Sequence, residues 1–123
     1  YSKNFNTTKN MINKKLAYLK KKYGKIAIYG AGHISSMFIN LMGIKKYIYA
    51  VIDDNKKKQK FLMPGSKLPI KNKKILLNNK IKVCLLSLNP EAEKKIMKKN
   101  IKFLKNGGFF LSLFPYYKNS IFR

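Results

Sequence analysis

The sequence predicts a three-layer α/β sandwich with a mostly parallel sheet of about four strands and a helix in front. Three observations lead there. Apolar runs of strand length at 26–29, 47–52, 81–88 and 109–113 alternate with segments of helical periodicity, and strands that alternate with helices pair in parallel through right-handed crossovers. The run at 81–88, IKVCLLSL, is apolar enough to be a central strand covered on both faces. A glycine turn, Gly30-Ala31-Gly32, joins the first strand to its helix.

Taken in order, Ile12, Leu16, Leu19 and Tyr23 recur at spacings of four, three and four. They predict an amphipathic helix capped by Thr8 and ended by Gly24, with residues 1–6 frayed before it. The strand at 26–29 and the helix at 34–42 then flank the glycine turn, the opening βα unit of a Rossmann-like fold. Glycine serves such a turn by accepting positive φ and by letting a ligand phosphate approach the N–H groups of the helix start. A full G-x-G-x-x-G fingerprint would have glycine where this chain has Ser35. The second strand, 47–52, ends in Asp53, Asp54 and Asn55. The segment 56–70 is not helical: Pro64-Gly65 is a turn, and Leu68, Pro69 and Ile70 are a short extended piece. One or two helical turns at 75–77 end at Asn78-Asn79.

After the strand at 81–88, Asn89-Pro90 opens a helix whose first turn holds Glu91 and Glu93, placed to complement the helix dipole. The helix turns Ala92, Ile96, Ile101 and Leu104 to the core, and Gly107-Gly108 stops it. A last strand, 109–113, is closed by Pro115. Residues 1–24 therefore lead into the domain, 25–115 form it, and 116–123 are an aromatic and basic tail.

With 123 residues the chain is one domain by size and too short for a complete two-domain enzyme. It begins at Tyr1, and is expected to be a fragment or a processed chain. A net charge of +24 suggests nucleic acid or an anionic surface. Against that, Arg123 is the only arginine, the residue preferred for bidentate phosphate and guanine contacts. The lysines are also spread over nearly every surface segment with many asparagines and isoleucines, as an A+T-rich coding bias would produce. No nucleic-acid partner is expected. Residues 26–44 carry no charged side chain, yet they include Gly30, Gly32, His33, Ser35, Ser36 and Asn40, so they are not a membrane span. No signal peptide is visible, and a cytoplasmic protein is expected. Cys84 is the only cysteine and reads as a small core residue.

Catalytic constellations are scarce: one histidine, His33, and four acidic residues supply no metal site and no acid–base pair. A binding site remains. Ligands of open α/β sheets sit beyond the carboxyl ends of the strands. The candidates are Tyr29, Gly30, Ala31, Gly32, His33 and Ser35 at the turn, Asp53 and Asn55 after the second strand, and Ser87 and Asn89 after the third, with Lys58 adding charge for a phosphate. Asp53 and Asp54 lie where dinucleotide folds carry the acid that accepts ribose hydroxyls. His33 either contacts a phosphate or is an ordinary exposed residue. A dinucleotide or a nucleotide-linked sugar fits this set, and replacing Gly30 with valine is expected to weaken binding while leaving the fold largely intact.

These residues resemble the C-terminal domain of the SAM-dependent C-methyltransferases that act on nucleotide-linked deoxysugars. The likeness runs through Tyr29-Gly30-Ala31, then Asp53, Asn55, Lys58 and Gln59 as D-x-N-x-x-K-Q, then Pro64, Gly65, Pro69 and Ile70 as P-G-x-x-x-P-I. It continues through Asn89 to Gly107-Gly108 with Phe110. The chain departs from the family pattern at Ile34, Ser35, Lys60 and Leu88. The resemblance implies a Rossmann-like domain that encloses a nucleotide-linked sugar and binds no cofactor itself. It also implies that SAM and the catalytic base belong to an upstream domain. Two other readings remain open on the residues: a stand-alone NAD- or nucleotide-sugar-binding domain of a polysaccharide-modifying enzyme, and a basic nucleic-acid-binding protein.

Overall fold

Alternation of apolar side chains along the strands dictates a sheet with two buried faces, and both are filled. A computed structural model of the chain describes residues 2–78, 80–113 and 119–122. Its five strands are β1 (Lys25–Tyr29), β2 (Ile48–Ile52), β3 (Ile70–Lys71), β4 (Ile81–Leu86) and β5 (Phe109–Ser112). They form one sheet in the order β3-β2-β1-β4-β5, every pair parallel. This is the Rossmann-like half-sheet order, with its reversal between β1 and β4.

On one face, Ile26 and Ile28 of β1 and Val83 and Leu85 of β4 pack against Ile12, Leu16 and Leu19 of α1 (Ser2–Tyr23) and Ile39 of α2 (His33–Met42). On the other, Ala27, Tyr29, Cys84 and Leu86 meet Ile96 of α3 (Pro90–Lys99), Phe103 of α4 (Ile101–Lys105) and Leu76 of a 3-10 helix, Lys73–Leu77. Residues one apart on a strand thus serve opposite layers.

The fifth strand is the difference from the expected sheet. β3 has two residues, too few to show a periodicity, and it is recognised only by its pairing of Ile70 with Val51 and Lys71 with Ile52. Pro69 before it is tolerated because β3 is an edge strand. The segment leading there is hairpin-like, with an antiparallel bridge between Leu62 and Pro69.

Helix α1 starts at Ser2 and not at Thr8, so residues 2–6 are helical where fraying is expected. No glycine or proline interrupts 2–23, and Asn13 ties α1 to the end of α2 by donating to the Met42 carbonyl at 2.8 Å. A second correction concerns the helix after Asn89-Pro90, which breaks at Asn100. The Asn100 side chain donates to the Ile96 carbonyl at 2.8 Å, the local competition by which asparagine interrupts a helix. Phe103, two turns after Ile96 and on the same face, is the core residue, whereas Ile101 and Leu104, expected inside, are 49% and 38% exposed. Gly108 makes room for that ring: a Cβ there would lie 2.4 Å from Phe103 Cε1.

Glu93 stands in the first turn of α3, as expected, and is buried there, with one of its carboxyl oxygens lacking a hydrogen-bond partner. Residues 119–122 return to the sheet, where Ile121 N donates to the Ser112 carbonyl at 2.8 Å and the Ile121 side chain is fully buried. The end of the expected tail therefore belongs to the core. Asn79, Pro115 and Tyr116-Tyr117, to which the sequence assigns a helix end, a strand end and the tail, lie outside the described residues. Among the described residues no helix is long and apolar enough to cross a membrane.

Candidate functional site

The strand order reverses between β1 and β4, and the chain leaves both strands at that end through Gly30 and Ser87. Gly30 has φ +109° and its N–H donates to the Ile52 carbonyl at 2.7 Å. A Cβ on Gly30 would stand 2.8 Å from Ser87 Oγ and 3.2 Å from Leu88 Cδ2. Valine at this position is therefore expected to strain the turn, contrary to the expectation that the fold would be left largely intact.

Under the turn lies a pair of buried hydroxyls. Ser35 Oγ donates to the Gly30 carbonyl and lies 2.6 Å from Ser87 Oγ, which in turn reaches the Tyr29 carbonyl at 3.2 Å. Ser35, fully buried, takes the place of the fingerprint's third glycine, whose role is close helix–strand packing. Here a small hydroxyl fulfils it and bonds the turn to β4.

The D-x-N-x-x-K-Q block closes the turn from the other side. Asp53 Oδ2 accepts from the Ala31 N–H at 2.9 Å and Oδ1 from the Asn55 N–H at 2.9 Å. Lys58 Nζ lies 3.9 Å from Asp53 Oδ2 and donates to the Ala31 carbonyl at 3.4 Å, while Gln59 donates to the Asp53 carbonyl at 2.7 Å. Asn55 is exposed and its side chain accepts from the Lys57 N–H. The block is the clamp that holds the floor of the crevice.

Asp54 faces the other way. Its Oδ1 accepts the Tyr29 hydroxyl at 2.6 Å and its Oδ2 lies 3.8 Å from Lys99 Nζ. Burial of Tyr29, and then the Asp54 carboxylate beside it, push the phenol's pKa well above its ordinary value, so Tyr29 remains a donor. A cavity of about 250 Å³ opens here. Tyr29, Gly30, Asp53 and Asp54 line it from the strand ends, Leu88, Ala92 and Ile96 form an apolar wall, and Lys95 and Lys99 add two cations.

The structure thus brings Tyr29, Gly30 and Asp53 to one cavity, with Ala31 and Lys58 bonded to Asp53. Ser35 and Ser87 lie beneath the turn. Gly32 and His33 are exposed at the start of α2, which no side chain caps. Asn89 is exposed, and its side chain caps α3 by accepting from the Ala92 N–H at 2.9 Å. The sequence names Asp54 only beside Asp53 as an acceptor of ribose hydroxyls, and it does not point to the α3 wall. The wall had a signal: Ala92, Lys95, Ile96 and Lys99, at spacings of three, one and three, share a helix face. Cys84 is buried and its thiol pKa is pushed up by burial, which leaves it inert. No cluster able to hold a metal ion occurs among the described residues.

Comparison with known proteins places this geometry. The family model described as the C-methyltransferase C-terminal domain matches residues 1–115. Among solved structures, the crystal structure of UDP-D-quinovosamine 4-dehydrogenase from Vibrio fischeri is similar, with a TM-score of 0.55 and 26% identity over 72% of this chain and 75% of that one. No curated protein matches the chain in sequence.

Proposed function

The chain belongs to the C-methyltransferase C-terminal domain family, and from that premise we propose that it is the part of a SAM-dependent C-methyltransferase that holds a nucleotide-linked sugar. An upstream domain supplies SAM and the catalytic groups, and the enzyme works in the cytoplasm. The observation that carries this reading is the pairing, in one cavity, of a carboxylate aligned by Tyr29 with the two ammonium groups of Lys95 and Lys99. Asp54 suits the hydroxyls of a sugar as acceptor, the lysines suit a diphosphate, and Leu88 and Ile96 suit the apolar face of a ring. The similar solved structure carries a nucleotide-linked sugar in its name, which supports the same ligand class.

The turn does not suit the pyrophosphate of NAD. The Ala31 N–H that would meet it already donates to Asp53, whose charge repels a phosphate. Calorimetric titration of the chain with a thymidine-diphosphate sugar, NAD and SAM tests the reading. Heat of binding is expected with the sugar nucleotide alone, and Asp54→Asn is expected to weaken it about tenfold, roughly 1.4 kcal/mol. Binding of NAD with no response to the sugar nucleotide would overturn the assignment.

A further inference from the structure

Among the described residues, α2 is the one helix from which lysine is missing. α1, α3 and α4 each carry lysine, as do the 3-10 helices Lys45–Tyr47, Lys58–Lys60 and Lys73–Leu77, whereas α2, HISSMFINLM, holds neither lysine nor acid. Ser35 and Ile39 turn to the sheet, and the outer surface is apolar. Ile34, Met37 and Leu41 are 49%, 44% and 50% exposed, and spacings of three and four set them in one row. Beside the row a groove of about 210 Å³ runs between α2 and Leu113, lined also by Phe38 and Met42.

Exposed apolar side chains elsewhere are interleaved with charge. Tyr18 lies under Lys22, Phe61 and Leu62 follow Lys58 and Lys60, and Ile101 and Leu104 alternate with Lys102 and Lys105. A continuous exposed apolar face marks a contact surface, and charge decides what fits it here. An acidic partner gains at every lysine-coated face and nothing at α2. Two copies of a chain of charge +24 repel wherever their lysines would meet. On α2 they touch without desolvating an ammonium group.

We propose that two copies of this chain pair through α2, helix on antiparallel helix, about a twofold axis near Met37. Ile34 then meets Leu41 of the partner subunit, and each row packs into the groove beside the opposing helix. Lys45 and Lys46 follow α2, and Lys9 Cε stands 3.4 Å from where a Cβ on Gly43 would lie, so these lysines gather at the C-terminal end of the helix. The antiparallel arrangement keeps the two gatherings apart. α2 and the α3 wall of the cavity cover opposite faces of the sheet, so pairing leaves both cavities open. The inference stands independently of the ligand reading.

A row of this size makes a weak dimer, so the test is sedimentation velocity on the chain from about 10 μM to about 1 mM, at about 50 mM and about 500 mM NaCl. A monomer–dimer equilibrium is expected, tightened at least threefold by the added salt, because salt screens the lysines and spares apolar contact. Met37→Lys/Leu41→Lys is expected to weaken it at least tenfold. The control Phe61→Lys/Leu62→Lys adds the same charge at another exposed apolar pair and is expected to change it less than threefold. Met37→Cys, oxidised with glutathione disulfide, is expected to give a covalent dimer and Tyr18→Cys none, while Cys84 is buried and contributes nothing. Unchanged circular dichroism shows that these surface variants fold. A chain that stays monomeric at every concentration in both salts would overturn the proposal. So would a dimer that salt dissociates, one that the control weakens as much as the α2 variant, or equal cross-linking at the two cysteines.

Discussion

Asp53 and Asp54 end the same strand, yet one is closed into the protein and the other open to the cavity. Successive residues of a strand point to opposite faces. Asp53 therefore meets the backbone of the glycine turn, where both its oxygens accept N–H groups, and Asp54 turns to the face of Tyr29 and α3. The difference extends to the two sides of the crevice. The turn is tied to β2 by Gly30, to β4 by Ser35 and Ser87, and to the loop after β2 by Asp53 and Lys58. The α3 side presents a carboxylate, two cations and an apolar wall with space before them. A Rossmann-like turn need not be where the ligand's charge is met; in this chain an internal anion already occupies it.

The comparison can be broken hardest at Gly30. Gly30→Val places a β-branched residue at φ +109° with its Cβ against Ser87 Oγ. A loss of about 3 kcal/mol is expected from positive φ and overpacking together, read from the midpoint of urea unfolding. Wild-type stability in the variant would mean that the turn is not closed as described.

A smaller effect separates the aspartates directly. Asp53→Ala removes an acceptor from two backbone N–H groups and is expected to cost about 2 kcal/mol in the same measurement. Asp54→Asn keeps an acceptor for the Tyr29 hydroxyl and is expected to change stability by less than about 0.5 kcal/mol. Its expected effect is on affinity for the proposed sugar nucleotide. Equal destabilisation by the two would erase the distinction.

The smallest effect concerns how the α3 wall is held. Glu93, on that helix, has its pKa raised by burial, with Ser112 and Asn119 acting the other way. A carboxyl whose pKa is higher in the folded state than in the unfolded chain contributes stability below the unfolded value, and that contribution is lost as pH rises through the folded value. Glu93→Gln is therefore expected to be at least as stable as the wild type at pH 7, with the advantage vanishing below about pH 4. Urea midpoints measured from pH 4 to 8 check this, and parallel curves for the two proteins would show that Glu93 titrates as a free carboxylate.

The sequence by itself determined the layered fold. Strand length, alternation and the apolar run at 81–88 set β1, β2, β4 and β5, and helical spacing in α1 chose Ile12, Leu16 and Leu19 for the core, because these signals are local and repeat over several residues. It also located the crevice, since the glycine turn and the two aspartates stand at strand ends in any register. Three things were decided by tertiary structure alone. β3 exists only as a partner of β2. Phe103, and not Ile101 or Leu104, fills the core beyond α3, because it stands on the face of Ile96 that the sheet covers. And the division of labour between Asp53 and Asp54 follows from what lies across each face of the sheet, the Ala31 N–H on one and the Tyr29 hydroxyl on the other. A carboxylate's role is set by the donor that reaches it, and that donor arrives from a distant part of the chain.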